Sequence, residues 1–183
     1  KLGTAWRFKR SEIEHWIDRN LAEKKSVEAS SIISLRDVLS RDHVVKFDTS
    51  SKRESLQHLM DAVGGSPHVG NRADLEKGIL DREELMSTGI GLGVAVPHVR
   101  LKSIKKPMMA VGVCASDITD YDSIDDQPVR LLFMILAGSH QHALHIKVLA
   151  RIANLVKDSR FRDNILSARD VQSTFDLLVG KVS

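Results

Sequence analysis

The stretches MMAVGVC (residues 108–114) and VRLLFMIL (residues 129–136) decide the fold class of this chain. Both are almost continuously apolar and have the length of a strand, so each is expected to be buried on both faces of a sheet. Segments with helical spacing of apolar residues lie before, between and after the predicted strands. We therefore predict an α/β fold of the mixed α+β class, in which helices cover both faces of a central mixed sheet of about five strands.

The other predicted elements follow from periodicity and from capping residues. Further strands are predicted at residues 43–47 and 94–96, where β-branched and apolar residues cluster. Ser34 is expected to cap a short helix that continues through Leu39. Longer helices are predicted at residues 52–63, from Asn71 or Asp74 to about Leu85 with Leu85 facing inward, and at residues 142–156. Two further short helices are predicted at about residues 159–166 and 171–179.

The composition excludes several classes of protein. Of the 183 residues, 42% are hydrophobic and 28% are charged, as is typical of a globular protein. No apolar run approaches the roughly 18 residues that a membrane helix needs, so we predict no membrane insertion. The single cysteine, Cys114, cannot form an internal disulfide, which fits a reducing cytoplasm. The net charge of +3 is too small to indicate that the chain as a whole binds nucleic acid.

The chain divides into two unequal parts. Residues 1–21 contain a capping box, Ser11 with Glu14, in front of apolar residues at helical spacing. We interpret them as a fragment of a separate module. Residues 22–31 are polar and are predicted to form a linker. The main domain is expected to cover residues 32–183.

Residues 82–100, REELMSTGIGLGVAVPHVR, carry the most informative candidate chemistry. The glycines in this stretch permit an open backbone that a partner can approach closely. Pro97 is expected to end backbone pairing, so that His98 is presented from a stiff strand end. From spacing alone, His98 could equally be a polar loop residue with no catalytic or binding role. The glycines precede a strand and do not open a helix, so they do not match a dinucleotide-binding loop.

This stretch resembles the active-site segment of the enzyme IIA domains of the fructose, mannitol and nitrogen-regulatory type (type 2) of the phosphotransferase system. The resemblance rests on the string Gly93-Val94-Ala95-Val96-Pro97-His98 and on the preceding Arg82-Glu83 and Ser87-Thr88-Gly89. It continues to His145 in a His-Ile-x-x-Leu context and covers residues 32–182 in one register. Val99 departs from the family pattern, because many members have glycine after the histidine.

The resemblance implies a phosphoryl carrier in which His98 is the phosphorylated nucleophile and His145 and Arg82 are catalytic. A neutral imidazole offers a ring nitrogen as the nucleophile. His145 can donate a ring N–H to the phosphoryl oxygens, and Arg82 can screen their charge or recognise the donor protein. Without the resemblance, Arg82 is better explained as a solvated helix charge and His145 as a polar residue at a helix start.

No cofactor is implied, and no metal is required, because the donor is itself a phosphohistidine. His142 and His145 have an i, i+3 spacing that could hold a metal. However, the next acidic residue in the sequence is Asp158. We therefore predict no metal site and interpret His140 and His142 as surface loop residues.

The resemblance also implies partners. The donor is an HPr-type phosphocarrier protein, and the acceptor is an enzyme IIB or a regulatory target protein. A homo-oligomer remains open, and the sequence does not identify a sugar.

Residues 1–21 resemble the last part of an excisionase-like (MerR-type) helix-turn-helix module, whose recognition helix would lie upstream. DNA is therefore a candidate partner, and a regulatory role is favoured over the uptake of one sugar. An N-terminal helix that packs on the main domain or on a neighbouring chain explains the same residues equally well. The alternative function is a DNA-binding transcriptional regulator whose IIA-like domain is a sensor or a partner-binding module.

Overall fold

A six-stranded mixed sheet lies at the centre of residues 33–180, the part of the chain that the computed structural model describes. The predictions for the fragment 1–21 and the linker 22–31 lie outside the described residues. The predicted mixed α/β class is confirmed, with one strand more than expected. The strands are β1 (Leu39–Phe47), β2 (Gly89–Gly91), β3 (Val94–Ala95), β4 (His98–Leu101), β5 (Met108–Ile118) and β6 (Val129–Gly138).

Five helices accompany the sheet in the described residues. They are α1 (Lys52–Gly64), α2 (Arg72–Leu85), α3 (His142–Val156), α4 (Ser159–Ser167) and α5 (Val171–Gly180). Side chains of Ser51, Asn71 and Asp158 accept hydrogen bonds from the first turns of α1, α2 and α4. Of the two residues considered for the start of α2, Asn71 is therefore the cap.

The short helix predicted from Ser34 through Leu39 is wrong in its extent. Ser34 caps only a 3₁₀ turn, Leu35–Asp37. Leu39 instead begins β1, where it pairs with Met109 of β5. The Met109 N–H also donates to the Val38 carbonyl at 2.7 Å. Parallel pairing with β5 therefore outweighs the weak helical preference of this segment.

Strand β6 is the central element of the sheet. The strands follow the order β1-β5-β6-β3-β2, and β4 also pairs with β6. β5 is antiparallel to β6, whereas β3 and β4 are both parallel to it. Val94 lies opposite Leu131, and His98 lies opposite Ile135, so the two short strands keep one register along the same edge of β6.

The expectation that Pro97 ends backbone pairing is therefore wrong. The Pro97 carbonyl accepts a hydrogen bond from the Ile135 N–H at 2.9 Å, and pairing resumes at His98. Proline removes one donor from the ladder but retains its acceptor, so the chain keeps its course along β6. His98 is the first residue of β4.

Helices cover both faces of the sheet, as predicted. On one face α3 and α4 pack against β6, and α5 packs on β1. Alternate β6 residues such as Leu131 and Phe133 belong to the core of this layer. On the other face α1 packs on β5 and β1, and α2 packs on β4. The intervening β6 residues, such as Leu132 and Met134, belong to the core of this layer. This alternation explains why β6 reads as an unbroken apolar run.

Leu85 does not face inward, contrary to the prediction. It is 83% exposed at the end of α2. The buried side of α2 runs through Leu75, Ile79 and Glu83. Leu85 follows Glu83 by two positions, about 200° around the helix, and so points away from the sheet.

Gly89 is expected to tolerate no side chain. A Cβ there would lie 2.2 Å from the Asp122 carbonyl oxygen and 2.9 Å from Ser123 Cα. Because both neighbours are backbone, we predict that Gly89→Ala lowers the free energy of unfolding by about 2 kcal/mol. Urea unfolding measures the loss. Gly65→Ala is the control, since nothing lies within 4 Å of its Cβ position; equal stability of the two variants would contradict the prediction.

Candidate active site

A cavity of about 350 Å³ at the β4 edge of the sheet brings together all three residues that the sequence singled out. Arg82 comes from α2, His98 from β4 and His145 from α3. The two helices belong to opposite layers, so the cavity lies where both layers meet the sheet edge. Its lining residues are Arg82, His98, Val99, Arg100, His142, His145, Ile146 and Leu149.

His98 is half-buried, and its ring is fixed by one hydrogen bond. Nδ1 lies 2.8 Å from the Val96 carbonyl oxygen. A carbonyl can only accept, so Nδ1 carries the proton and the lone pair of the neutral ring lies on Nε2. Burial lowers the pKa of His98; the bond to Val96 opposes this shift, and the Arg82 charge adds to it. The ring is therefore neutral at neutral pH.

His145 lies in the first turn of α3 and is only 4% exposed. Its ring centroid is 5.6 Å from that of His98, and the two rings are tilted by 50°. Nδ1 is buried and has no hydrogen-bond partner among residues 33–180. Burial, followed by the charges of His98, Arg100 and His142, lowers the pKa of His145 to about 4. His145 is therefore also neutral at neutral pH.

Arg82 lies in the last turn of α2, where a cation interacts favourably with the helix dipole. Its Nη1 donates to the Met86 carbonyl at 2.8 Å. This bond directs the guanidinium around the end of the helix, close enough for its charge to lower the pKa of His98. One of its five N–H groups is used in this contact, so the side chain can still donate to a bound anion.

Two polar residues of the cavity lining, Arg100 and His142, were not identified as site residues from the sequence. Arg100 follows His98 by two positions in β4, so both side chains point to the same side of the strand. That alternation was the available signal, but it required knowing that β4 exists. His142 was interpreted as a loop residue; it is the first residue of α3 and lines the cavity.

Two further properties bear on the chemistry. Within residues 33–180 no group of three or more His, Cys, Asp or Glu side chains is arranged to hold a metal ion. The cavity lining contains two arginines and three histidines but no acidic residue. Its chemistry is that of an anion site.

Among the described helices, none is long and apolar enough to cross a membrane.

Residues 38–180 match the family model described as "Phosphoenolpyruvate-dependent sugar phosphotransferase system, EIIA 2". The match begins after residues 1–21, so their helix-turn-helix resemblance stays a prediction. The nitrogen regulatory protein of Bradyrhizobium diazoefficiens is 35% identical over 129 residues, which cover 70% of this chain and 83% of that protein. The "PTS system fructose-specific EIIABC component" of Bacillus subtilis is 30% identical over 138 residues.

The chain spans very different shares of these relatives. The match covers 74% of this chain but only 22% of the Bacillus subtilis protein. Among solved structures, the nitrogen regulatory protein IIA-Ntr from Neisseria meningitidis superposes with a TM-score of 0.69 at 25% identity. That match covers 77% of this chain and 96% of the other. The chain therefore belongs to the EIIA 2 family of the phosphoenolpyruvate-dependent sugar phosphotransferase system, and its function is that of a phosphoryl carrier.

Proposed function

We propose that this chain carries the phosphoryl group on Nε2 of His98. The group comes from an HPr-type phosphohistidine protein and passes to an enzyme IIB or remains as a regulatory mark. The observation that carries the proposal is the hydrogen bond from Nδ1 to the Val96 carbonyl. This bond occupies one ring nitrogen and leaves the other with the lone pair that a nucleophile needs.

The transfer is a direct exchange between two imidazoles. The Nε2 lone pair of His98 forms a bond to phosphorus while the bond between phosphorus and the donor's ring nitrogen breaks. The donor nitrogen keeps the electron pair of the broken bond. Because leaving group and nucleophile are alike, the exchange is nearly balanced, and the group can be passed on.

The cavity supplies charge where the reaction develops it. A phosphoryl group in transfer carries negative charge on its peripheral oxygens. Arg82 and Arg100 provide fixed positive charge on the walls beside His98, and the His145 ring, 5.6 Å away, is a candidate N–H donor. Such pre-organised donors stabilise the transition state without a rearrangement during the reaction.

The acceptor is proposed from the family alone. One relative is named a nitrogen regulatory protein and another an EIIABC component. Both a regulatory target and an enzyme IIB are therefore candidates for this chain. We place the exchange in the cytoplasm, where the free thiol of Cys114 stays reduced.

A phosphorylation assay tests whether His98 is the residue of this chain that accepts the phosphoryl group. Incubation with an HPr-type protein that carries radioactive phosphohistidine should label the wild-type chain with acid-labile, base-stable phosphate. His98→Ala should abolish the label, whereas His140→Ala, an exposed histidine outside the cavity lining, should retain it. Chromatography of the alkaline hydrolysate should give the Nε2 isomer. Label that persists in His98→Ala, or that lies on Nδ1, would show that the proposal is wrong.

His145→Ala is expected to slow transfer by about a hundredfold, because one donor to the phosphoryl oxygens is lost. Rapid-quench measurement of label transfer from the same donor gives the rate. Circular dichroism at 222 nm should show that the helices are retained. Transfer at the wild-type rate in a folded variant would remove His145 from the mechanism.

His145 should also make the fold sensitive to acid. With a folded-state pKa of about 4 and an unfolded-state pKa of about 6.5, only the unfolded chain protonates this ring between those values. The free energy of unfolding should therefore fall as pH drops from 6.5 to 4, by up to about 3 kcal/mol from this residue. His145→Gln should show a correspondingly shallower decline in urea titrations. Parallel curves for the two proteins would contradict the assignment.

A further inference from the structure

The loop that joins α2 to β2 is hydrogen-bonded to the buried carboxylate of Glu83. We propose that Glu83 is a positioning residue for phosphoryl transfer, which acts on His98 through Thr88 and Val96. In this proposal, which rests on the proposed function of His98, Glu83 never touches the phosphoryl group. It holds the backbone that fixes the orientation and the tautomer of the reacting ring.

The Glu83 carboxylate has a full set of partners. It is 5% exposed, on the side of α2 that faces the sheet. Oε1 accepts from the Thr88 N–H at 2.9 Å and from the Ser87 hydroxyl at 3.0 Å. Oε2 accepts from the Thr88 hydroxyl at 2.6 Å. The Lys52 ammonium from α1 lies 3.1 Å from Oε1. The end of the loop is therefore tied to both helices of this layer.

A continuous hydrogen-bonded path leads from Thr88 to His98. The Thr88 carbonyl accepts from the Val96 N–H at 3.0 Å. The Val96 carbonyl in turn accepts from His98 Nδ1 at 2.8 Å. The neighbouring Pro97 carbonyl bonds to β6, so Val96 directs its polar groups to the opposite edge. At that edge the Thr88 carbonyl extends the pairing of β2 with β3 by one residue, and the His98 ring bonds to the Val96 carbonyl beyond it.

A second anchor fixes Thr88 from the far side. Its hydroxyl lies 2.9 Å from the Tyr121 hydroxyl. Burial, with the nearby Glu83 charge, raises the pKa of Tyr121, so this phenol stays protonated and donates. The protons then run in one order, from Tyr121 to Thr88 and from Thr88 to Glu83. The Ser87 hydroxyl shares its single proton between Glu83 Oε1 and the Asp122 carbonyl oxygen, which lies 2.6 Å away.

The negative charge of Glu83 is part of this arrangement. Burial opposes ionisation, but the bonds from Thr88 and the Lys52 ammonium hold the pKa of Glu83 below its usual range. A glutamine of the same shape would turn an N–H₂ group towards the Thr88 hydroxyl, which now donates to Oε2. It would also leave Lys52 without its anion. Glu83→Gln therefore disturbs the path at its origin with little change in volume.

A purely structural role for Glu83 makes a different prediction. A carboxylate that only stabilises the loop would change the free energy of unfolding and leave the His98 ring as it is. A measurement of the His98 tautomer therefore distinguishes a positioning role of Glu83 from a purely stabilising one. It also does not depend on phosphoryl transfer, so it can fail or succeed independently of the proposed function.

The test combines nitrogen-15 NMR of histidine-labelled protein at pH 8 with the rate of phosphorylation by phosphoramidate, a small N-phosphoryl donor. In the wild type, His98 should carry its proton on Nδ1. Glu83→Gln and Thr88→Val should shift the population towards the Nε2 proton and slow phosphorylation about tenfold or more. Thr88→Ser keeps the hydroxyl and should restore both readouts. Glu84→Gln, the same change at the exposed neighbour, should match the wild type.

The outcomes separate the claims. If folded Glu83→Gln and Thr88→Val keep the Nδ1 tautomer, the proposal is overturned, whatever the rate. If the tautomer shifts but phosphorylation is unchanged, the positioning role in transfer is overturned. If the tautomer shifts and the wild type accepts no phosphoryl group from any donor, positioning of the ring stands while the proposed function fails. Should Glu83→Gln not fold, the contrast between Thr88→Val and Thr88→Ser decides.

Discussion

The pairing of two short strands along one edge of β6 is the constraint on which the site depends. β3 and β4 share a register on β6, although Val96 and Pro97 separate them. The ladder bonds of Gly93 and Pro97 to β6 fix the chain on both sides of Val96. The Val96 carbonyl therefore has no strand to pair with and becomes the acceptor for the His98 ring. A shift of one residue would turn this carbonyl towards β6 and move His98 to the other face.

The same constraint explains why the residues of the cavity come from distant parts of the sequence. α2 packs against β4 closely: a Cβ on Gly78 would lie 3.1–3.2 Å from the side chains of Leu101 and Val99. That close approach sets the end of α2, and with it Arg82, beside His98. On the opposite face α3 packs on the core through Val148 and Ile152, which leaves His145 at the start of the helix next to the same edge. Both helix layers reach this edge of the sheet, so side chains from each of them line the cavity.

Much of this arrangement could be predicted, because long apolar patterns carry most of the information. The periodicity of α1 and α3 identified those helices to within one residue, and the buried runs identified where β5 and β6 begin, although β5 continues four residues beyond its predicted end. Arg82, His98 and His145 were found through the resemblance, and the structure brings them to one cavity.

The short strands β2 and β4 escaped prediction, because they depend on pairing and not on pattern. β2 has three residues, and its turn to β3 requires positive φ at Gly91, Leu92 and Gly93, of which only the glycines signal such a turn. β4 follows a proline, which normally marks the end of a strand. The burial of Glu83 could not be predicted either. A carboxylate next to Arg82 in a helix rich in charge looks solvated until the loop that binds it is known.

The pKa of His145 depends on the charge that the neighbouring His98 carries. The two neutral rings lie with their centroids 5.6 Å apart, and burial, with a smaller contribution from the nearby arginine charges, keeps the pKa of each histidine low. A phosphoryl group on His98 would oppose the positive field of these arginines at His145, because it would add roughly two negative charges. The pKa of His145 would then rise, and a protonated ring would donate to the phosphoryl oxygens. Linkage makes this effect reciprocal: a proton on His145 favours the phosphorylated state by the same free energy with which phosphorylation favours the proton. If His98 carries the phosphoryl group as proposed, the low pKa of His145 keeps the site free of an extra positive charge before transfer. The phosphoryl group would then offer an acceptor to the His145 ring, whose Nδ1 has no hydrogen-bond partner among residues 33–180.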